Sequence, residues 1–518
     1  KKPLSITMDA FIKGQDLYGY DNLNLHNGFN DPSLMREVIS YEILRDYMPA
    51  PMANWVKVYI NNEYWGVYVN IQQVDKRMIG DWFKGNDGNR YLAEPTAATG
   101  KGNSALQWLG TTLQNYEDAY DLKTGSPTNP YLDVQTLCNV LNNSTQLAVD
   151  LPKVLEVDRS LWYLAHFNLI ANLNGYNPRG NGYYLYHDEQ FDTMNVVPWD
   201  MGGAFGASSS QTVTEAFNFD PFEGDTRASR PLVSRLLSVA EWRVRYVNHM
   251  KTIMSERLDW TSHVSKQVST YQALIGSDVQ ADTKKLYSYQ MFFDNFTQTV
   301  NLGGGGPGGG SLIGLQEFVD QRRAYLLGHN VLNQIVPVIN SLNLTDSSPL
   351  PGELVTLTAN VDGSGAAIAS VTLYWRSSAG RYASELMFDD GAHGDGSAGD
   401  GVWGGDVPVA GIAGETVDYY VSARSASGPG AMIFEPELSE MAPLQFSYQY
   451  GSSGIKITEY MYSGTDGEFL ELTNVTSAAI DLTGWSLDDE SANPGTFDLS
   501  PVGSLAAGES IVICGVDP

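Results

Sequence analysis

The period of the apolar positions changes near residue 335. Ahead of that point helical and alternating patterns mix. Leu34, Val38, Tyr41, Ile43 and Leu44 recur at helical spacing, and Asp31-Pro32-Ser33 before them reads as an N-cap with proline at the first helical position. Residues 55–60 and 66–71 read as strands joined by a hairpin turn at Asn61-Asn62-Glu63. Residues 158–173 predict an amphipathic helix carrying Trp162, Tyr163 and Phe167. A strand at 183–186 turns back through 192–195 into an apolar run ending in Trp199-Asp200. Further helices are predicted over 229–260, 262–275 and 314–328. Beyond 335 only short alternating runs remain. Those at 355–359, 371–375 and 416–421 predict one β-sandwich over 336–448, and those at 455–457, 469–472 and 510–513 a second over 454–518. The expected fold is therefore multidomain, an α+β part over 1–333 followed by two all-β sandwiches. This agrees with about three domains for 518 residues at roughly 150 residues each.

Charge narrows the function classes. Asp and Glu number 60 against 31 Lys and Arg, a net charge of −29. Such a chain repels phosphate backbones and anionic lipid, so no nucleic-acid partner is expected. Only Arg376, Arg381, Arg424 and Lys456 are basic beyond residue 335, so the sandwiches hold almost none of the positive charge. No apolar run reaches the ~18 residues of a membrane span. Two cysteines, Cys138 and Cys514, make neither a disulfide scaffold nor a zinc pattern. The opening Lys1-Lys2-Pro3 lies inside a strand-like pattern and reads as a processed or truncated start, and the second sandwich is expected to be incomplete.

Three segments are candidates for chemistry. Asp200 ends an apolar strand and is followed by Met201-Gly202-Gly203-Ala204-Phe205-Gly206, so its carboxylate could hold a metal between two lobes or simply cap a turn. The second is Asp389-Asp390-Gly391 with Asp395 and Asp400 among glycines. It suits Ca²⁺ with oxygen ligands but equally a solvated acidic turn, and no closing Glu makes it an EF-hand. The third is the glycine run 303–310, which lacks the Lys-Ser/Thr of a phosphate loop and reads as a flexible connection. His166, beside Phe167 on its helix, reads as a packed histidine. No acid pair has a spacing that argues for glycoside hydrolysis.

Several linked segments over about 1–333 resemble the spore-coat-protein-H (CotH) kinase family. They are Leu23-Asn24-Leu25, Asp31-Pro32-Ser33-Leu34-Met35-Arg36-Glu37, Val58-Tyr59-Ile60-Asn61-Asn62-Glu63-Tyr64-Trp65-Gly66, Val74-Asp75-Lys76-Arg77, Tyr183-Tyr184-Leu185-Tyr186, Pro198-Trp199-Asp200 with Phe205-Gly206, and Gly314-Leu315 leading to Arg322-Arg323. The resemblance implies an atypical kinase-like fold that binds ATP with Mg²⁺ or Mn²⁺ and passes phosphate to protein hydroxyls. By it, Asp200 matches the metal-holding acid. Lys1 or Lys2 matches the basic strand start near the phosphates. Arg36, Glu37 or Glu42 is expected to orient that lysine. Asn174 and Asn181 fall at acceptor- and cofactor-side positions.

The departures from the family pattern run one way. Asn174 stands where the family carries Asp, Asn181-Gly182 where it carries His-Asn, Gly202 where a second acid is common, and Gln72 where Glu is common. An amide cannot accept the proton of an attacking hydroxyl. The resemblance thus implies a kinase that is active, or one retired into a pseudokinase scaffold with a surface or matrix partner. Ile457-Thr458-Glu459-Tyr460, Glu468-Phe469-Leu470-Glu471-Leu472-Thr473-Asn474 and Leu482-Thr483-Gly484-Trp485 resemble a lamin-tail domain. Such modules accompany bacterial secreted and surface proteins, so a secreted or cell-surface location is expected.

Overall fold

A computed structural model describes residues 1–94, 103–124, 128–208, 211–302, 310–377, 380–407, 411, 413–428, 431–449, 454–461, 469–487 and 497–514. Residues 303–309 of the glycine run and Glu468 lie outside the described residues. The chain forms two compact units. The first comprises Lys1–Leu344, Thr356–Val407 and Asp418–Gln445; the second comprises Thr345–Val355, Pro408–Val417 and Phe446–Pro518.

The first unit opens with a four-stranded antiparallel sheet in the order Leu4–Thr7, Asn22–His26, Glu63–Ile71, Ala53–Ile60. Its hairpin pairs Ile60 with Glu63 across Asn61 and Asn62, both at positive φ (51° and 64°). Two left-handed residues match the twist of the strands they join, and asparagine tolerates that conformation best after glycine. The helix after Asn22–His26 spans Arg36–Arg45, shorter than the spacing predicts. Leu34 turns left-handed (φ 57°), so Pro32 is not the first helical residue. Asp31 instead reaches forward, its Oδ2 accepting the Arg36 N–H at 2.9 Å.

A second four-stranded sheet runs in the order Asp121–Thr124, Arg90–Leu92, Tyr183–Asp188, Thr193–Pro198. Around both sheets pack the helices Val157–Leu169, Ala240–Glu256, Ser265–Ala281 and Leu315–Leu327, on one continuous apolar core. A single π-helical turn, Trp260–Val264, leads into Ser265–Ala281, which extends beyond the predicted 262–275. His166 is fully buried with neither ring nitrogen hydrogen-bonded, and burial pushes it down to about 3, so it packs as a neutral ring.

The first sandwich places Val338–Leu344, Val355–Asp362 and Val402–Val407 in one sheet. Ala383–Met387, Ile368–Ser377, Thr416–Ser425 and Met432–Glu435 lie in order in another. The strand 355–362 alternates buried with partly exposed or exposed positions throughout. In the second unit the sheet Ile455–Met461, Phe469–Asn474, Ser510–Cys514 covers a small core of Ile455, Leu472, Leu482, Leu499 and Leu505. Among the described residues, no helix is long and apolar enough to cross a membrane.

Candidate functional site

Asp200 leaves the strand Thr193–Pro198 and caps a tight turn, Met201–Gly206. Its backbone is left-handed (φ 53°, ψ 71°), a conformation that costs a non-glycine residue energy and persists only where neighbours hold it. The holder is Asn172. From a buried position it donates Nδ2 to the Asp200 carbonyl (3.0 Å) and accepts the Asn174 N–H at Oδ1 (2.9 Å). One side chain thus ties the loop carrying Asn174 to the backbone of Asp200.

Asn174 Nδ2 donates to Asp200 Oδ1 at 3.0 Å, and the Gly202 N–H reaches the same oxygen at 3.2 Å. No hydrogen bond from the described residues reaches Asp200 Oδ2. Gly182 lies against the pair. It is left-handed (φ 78°), and a Cβ there would meet the Asn174 carbonyl at 2.8 Å, so the family's asparagine could not occupy it without a shift. A Cβ at Gly202 would lie 3.2 Å from Asp200 Oδ1, so any side chain at 202 would crowd that carboxylate. Asn181 Oδ1 is buried without a hydrogen-bond partner. Glu94 stands near: burial, and then the charge of Asp200, raise it above its usual range against the pull of Lys123 and Arg179.

Facing this group is the end of the strand Asn22–His26. His26 Nδ1 lies 2.9 and 3.0 Å from the two carboxylate oxygens of Glu37, the second residue of the helix Arg36–Arg45. Burial disfavours the imidazolium, but the hydrogen bond and charge of Glu37, then Asp200, outweigh it and raise His26 above its ordinary value. A cleft of about 510 Å³ runs between the walls, with Pro3, His26 and Glu37 on one side and Asn174, Arg179 and Asp200 on the other.

Other expected residues lie elsewhere. The Lys1 ammonium is 1% exposed, stacked over Tyr68 and paired with Asp282 Oδ2 at 2.9 Å, with Val67 O as a further acceptor. Gly66 makes room, since a Cβ there would fall on the Asp282 carboxylate. Lys2 is exposed ahead of the first strand. Arg36 is fully buried and donates to Phe205 O (3.1 Å), Asn295 Oδ1 (2.9 Å) and Ile313 O. It fastens the turn after Asp200 rather than facing a phosphate. Glu42 accepts from Tyr271 Oη. Gln72 is buried and accepts the Met52 N–H at 2.9 Å.

In the acidic loop each carboxylate accepts amides of its own loop. Asp395 takes Asp390, Gly391 and His393 N–H, Asp389 takes Gly399 and Gly401 N–H, Asp390 takes Ala392 N–H, and Asp400 takes Ser397 and Val402 N–H. Among the described residues no three His, Cys, Asp or Glu side chains gather to hold a metal ion.

The sequence matches the family described as CotH kinase protein over residues 1–326. The chain belongs to the CotH kinase protein family. Downstream of the CotH region, residues 350–427 match the second Ig-like domain of conditioned medium factor, and residues 449–517 match the Lamin Tail Domain. No curated protein matches the chain. Among solved structures it aligns with a Pseudomonas fluorescens alkylpurine DNA glycosylase, AlkC, bound to DNA containing an abasic site analog. That alignment is 14% identical and covers 61% of this chain and 77% of that one, but its TM-score of 0.13 carries no argument.

His26, Glu94 and Arg179 were not singled out in the sequence. The one available signal was position, since His26 ends the strand that feeds the helix bearing Glu37.

Proposed function

We propose that the CotH region binds ATP with Mg²⁺ or Mn²⁺ in the Asp200 cleft and passes phosphate slowly to protein hydroxyls, at or outside the bacterial cell surface. The observation that carries this reading is the 3.0 Å hydrogen bond from Asn174 to Asp200, an amide beside a metal-type acid. Mg²⁺ takes few protein ligands, commonly one or two carboxylates completed by water and phosphates. Asp200, whose Oδ2 takes no hydrogen bond from the described residues, fits that need and would hold the ion with Asn174 beside it. A bound cation would neutralise charge on the transferring phosphoryl group.

Phosphoryl transfer passes through a loose transition state and depends mostly on positioning and electrostatics. Losing the acid at 174 therefore slows the reaction more than it abolishes it. Asn174 can hydrogen-bond the acceptor hydroxyl and orient it, but cannot take its proton. The second reading is a pseudokinase scaffold with a protein or matrix partner. It is favoured by the burial of Lys1 on Asp282, which removes the expected phosphate cation.

Calorimetric titration of the full chain with ATP, with and without Mg²⁺ or Mn²⁺, tests the first reading. Metal-dependent binding that disappears in Asp200→Ala is expected. A folded chain that binds no nucleotide overturns it and leaves the scaffold.

A further inference from the structure

We propose that His26, oriented by Glu37, is the cation that meets the phosphates of the bound nucleotide, in the place a lysine would hold. The inference rests on the nucleotide-binding reading and adds the residue that recognises the phosphate chain.

Topology comes first. In protein kinases a lysine on the strand before the first large helix pairs with a glutamate on that helix and touches the phosphates. Here the strand entering the corresponding helix is Asn22–His26, not Leu4–Thr7, and its last residue is paired with Glu37 in the first turn of Arg36–Arg45. The same juxtaposition carries an imidazole.

The chemistry follows from the contact. A carboxylate only accepts, so Nδ1 facing both Glu37 oxygens must carry a proton. Nε2 has no hydrogen-bond partner among the described residues, and the side chain is 36% exposed on the cleft wall. An imidazolium so held presents a second N–H for a phosphate oxygen, and charge-assisted bonds of this kind are the stronger class. Glu37 faces it from the helix and Asp200 from the turn beyond the second sheet, and Arg179 lines the same cleft. On the neighbouring strand it stands opposite Val69, which carries no charge.

Among the other cations Lys2 is exposed and Arg179 lines the same cleft, but among the described residues neither forms an ion pair with a helix glutamate as His26 does, and two more are committed elsewhere. Lys1 is buried on Asp282, and Arg36 is spent on carbonyl and amide oxygens.

The test is calorimetry of the full chain with ATP and Mg²⁺ at pH 6 and pH 8, with adenosine as the probe that lacks phosphates. Wild type should bind ATP about tenfold more weakly at pH 8, the scale of one lost hydrogen bond to a charged group. His26→Gln should bind about tenfold more weakly at pH 6, lose the pH dependence and keep its affinity for adenosine. His26→Lys should hold the pH 6 affinity at both values, which separates a charge role from a packing role. Wild-type affinity for ATP in His26→Gln at both pH values overturns the proposal even while Asp200→Ala abolishes binding. Absence of ATP binding by the folded wild type overturns both readings.

Discussion

At the residue scale the site turns on an amide beside a carboxylate. Asn174 Nδ2 on Asp200 Oδ1 is stable without a cation because donor meets acceptor. Asn174→Asp would set two carboxylates about 3 Å apart, a geometry in which both ionise only with a cation between them. The variant is expected to melt below wild type without metal and to regain stability on adding Mg²⁺, read by thermal unfolding at fixed pH. It should also raise phosphate transfer by about 10²-fold, the lower end of what a positioned general base contributes, measured with labelled ATP and a protein acceptor. An unchanged rate together with metal-independent melting would show that the departure at 174 does not limit turnover. This residue was legible in the sequence because it interrupts a recognisable motif. The His26–Glu37 pair was not, since strand-end residues carry no mark of what they face.

At the element scale the helices Val157–Leu169 and Ala240–Glu256 are joined to the strands 416–425 and 432–435 by a buried charge cluster. Asp158 Oδ1 accepts from His249 Nε2 (2.8 Å) and Arg245 Nη1 (3.1 Å), and Oδ2 accepts from Trp162 Nε1 (3.2 Å). Arg245 also donates to Tyr420 Oη (3.0 Å) and Glu440 Oε1 (3.2 Å), and lies over the rings of Tyr374, Tyr420 and Phe434. Burial would raise Asp158, but His249 and Arg245 outweigh it and hold the acid well below its usual range. Glu440 goes the other way: burial, then repulsion from Asp158, push it up to about 7 against the pull of Arg245.

Two predictions belong to this cluster. Asp158→Ala removes one of the two acids on the buried Arg245 guanidinium and leaves His249 Nε2 and Trp162 Nε1 without their acceptor, and should cost about 3–5 kcal/mol, read by denaturant unfolding. Glu440 has a raised folded pKa, so its contribution is full below its ordinary 4.5 and is lost as pH rises through about 7. Wild-type melting temperature should therefore fall between pH 5 and pH 8 by more than that of Glu440→Gln, and the variant should be the more stable at pH 8. Parallel profiles would refute the assignment. The helices themselves were legible from apolar spacing, but not this cluster, whose members lie up to 282 positions apart (158 to 440).

At the scale of the whole molecule, the sequence suggests three domains, over 1–333, 336–448 and 454–518. The structure groups 356–407 and 418–445 with the CotH region in one compact unit. The physical reason is a shared core in which Val244 from the helix Ala240–Glu256 packs with Tyr374, Tyr420, Met432 and Phe434 of the sandwich strands. Cutting the chain after residue 333 would expose this apolar face and strip Arg245 of Tyr420 and Glu440. The truncated protein is expected to melt lower than the first transition of the full chain in scanning calorimetry. Equal melting temperatures would mean the CotH region stands alone.

What the sequence by itself determined is local or serial. Strand alternation, helical spacing, the asparagine hairpin and the order of CotH, Ig-like and lamin-tail segments follow from residues close in the chain, where periodicity and turn chemistry act directly. Asp200 and Asn174 were identifiable for the same reason. Tertiary structure alone decided which charges meet. It placed Lys1 on Asp282 across 281 residues, buried Arg36 beneath the turn after Asp200, and set His26 against Glu37 at the cleft. A charged side chain gains most where burial is repaid by a partner, and which partner is near is a property of the packed chain rather than of any stretch of it.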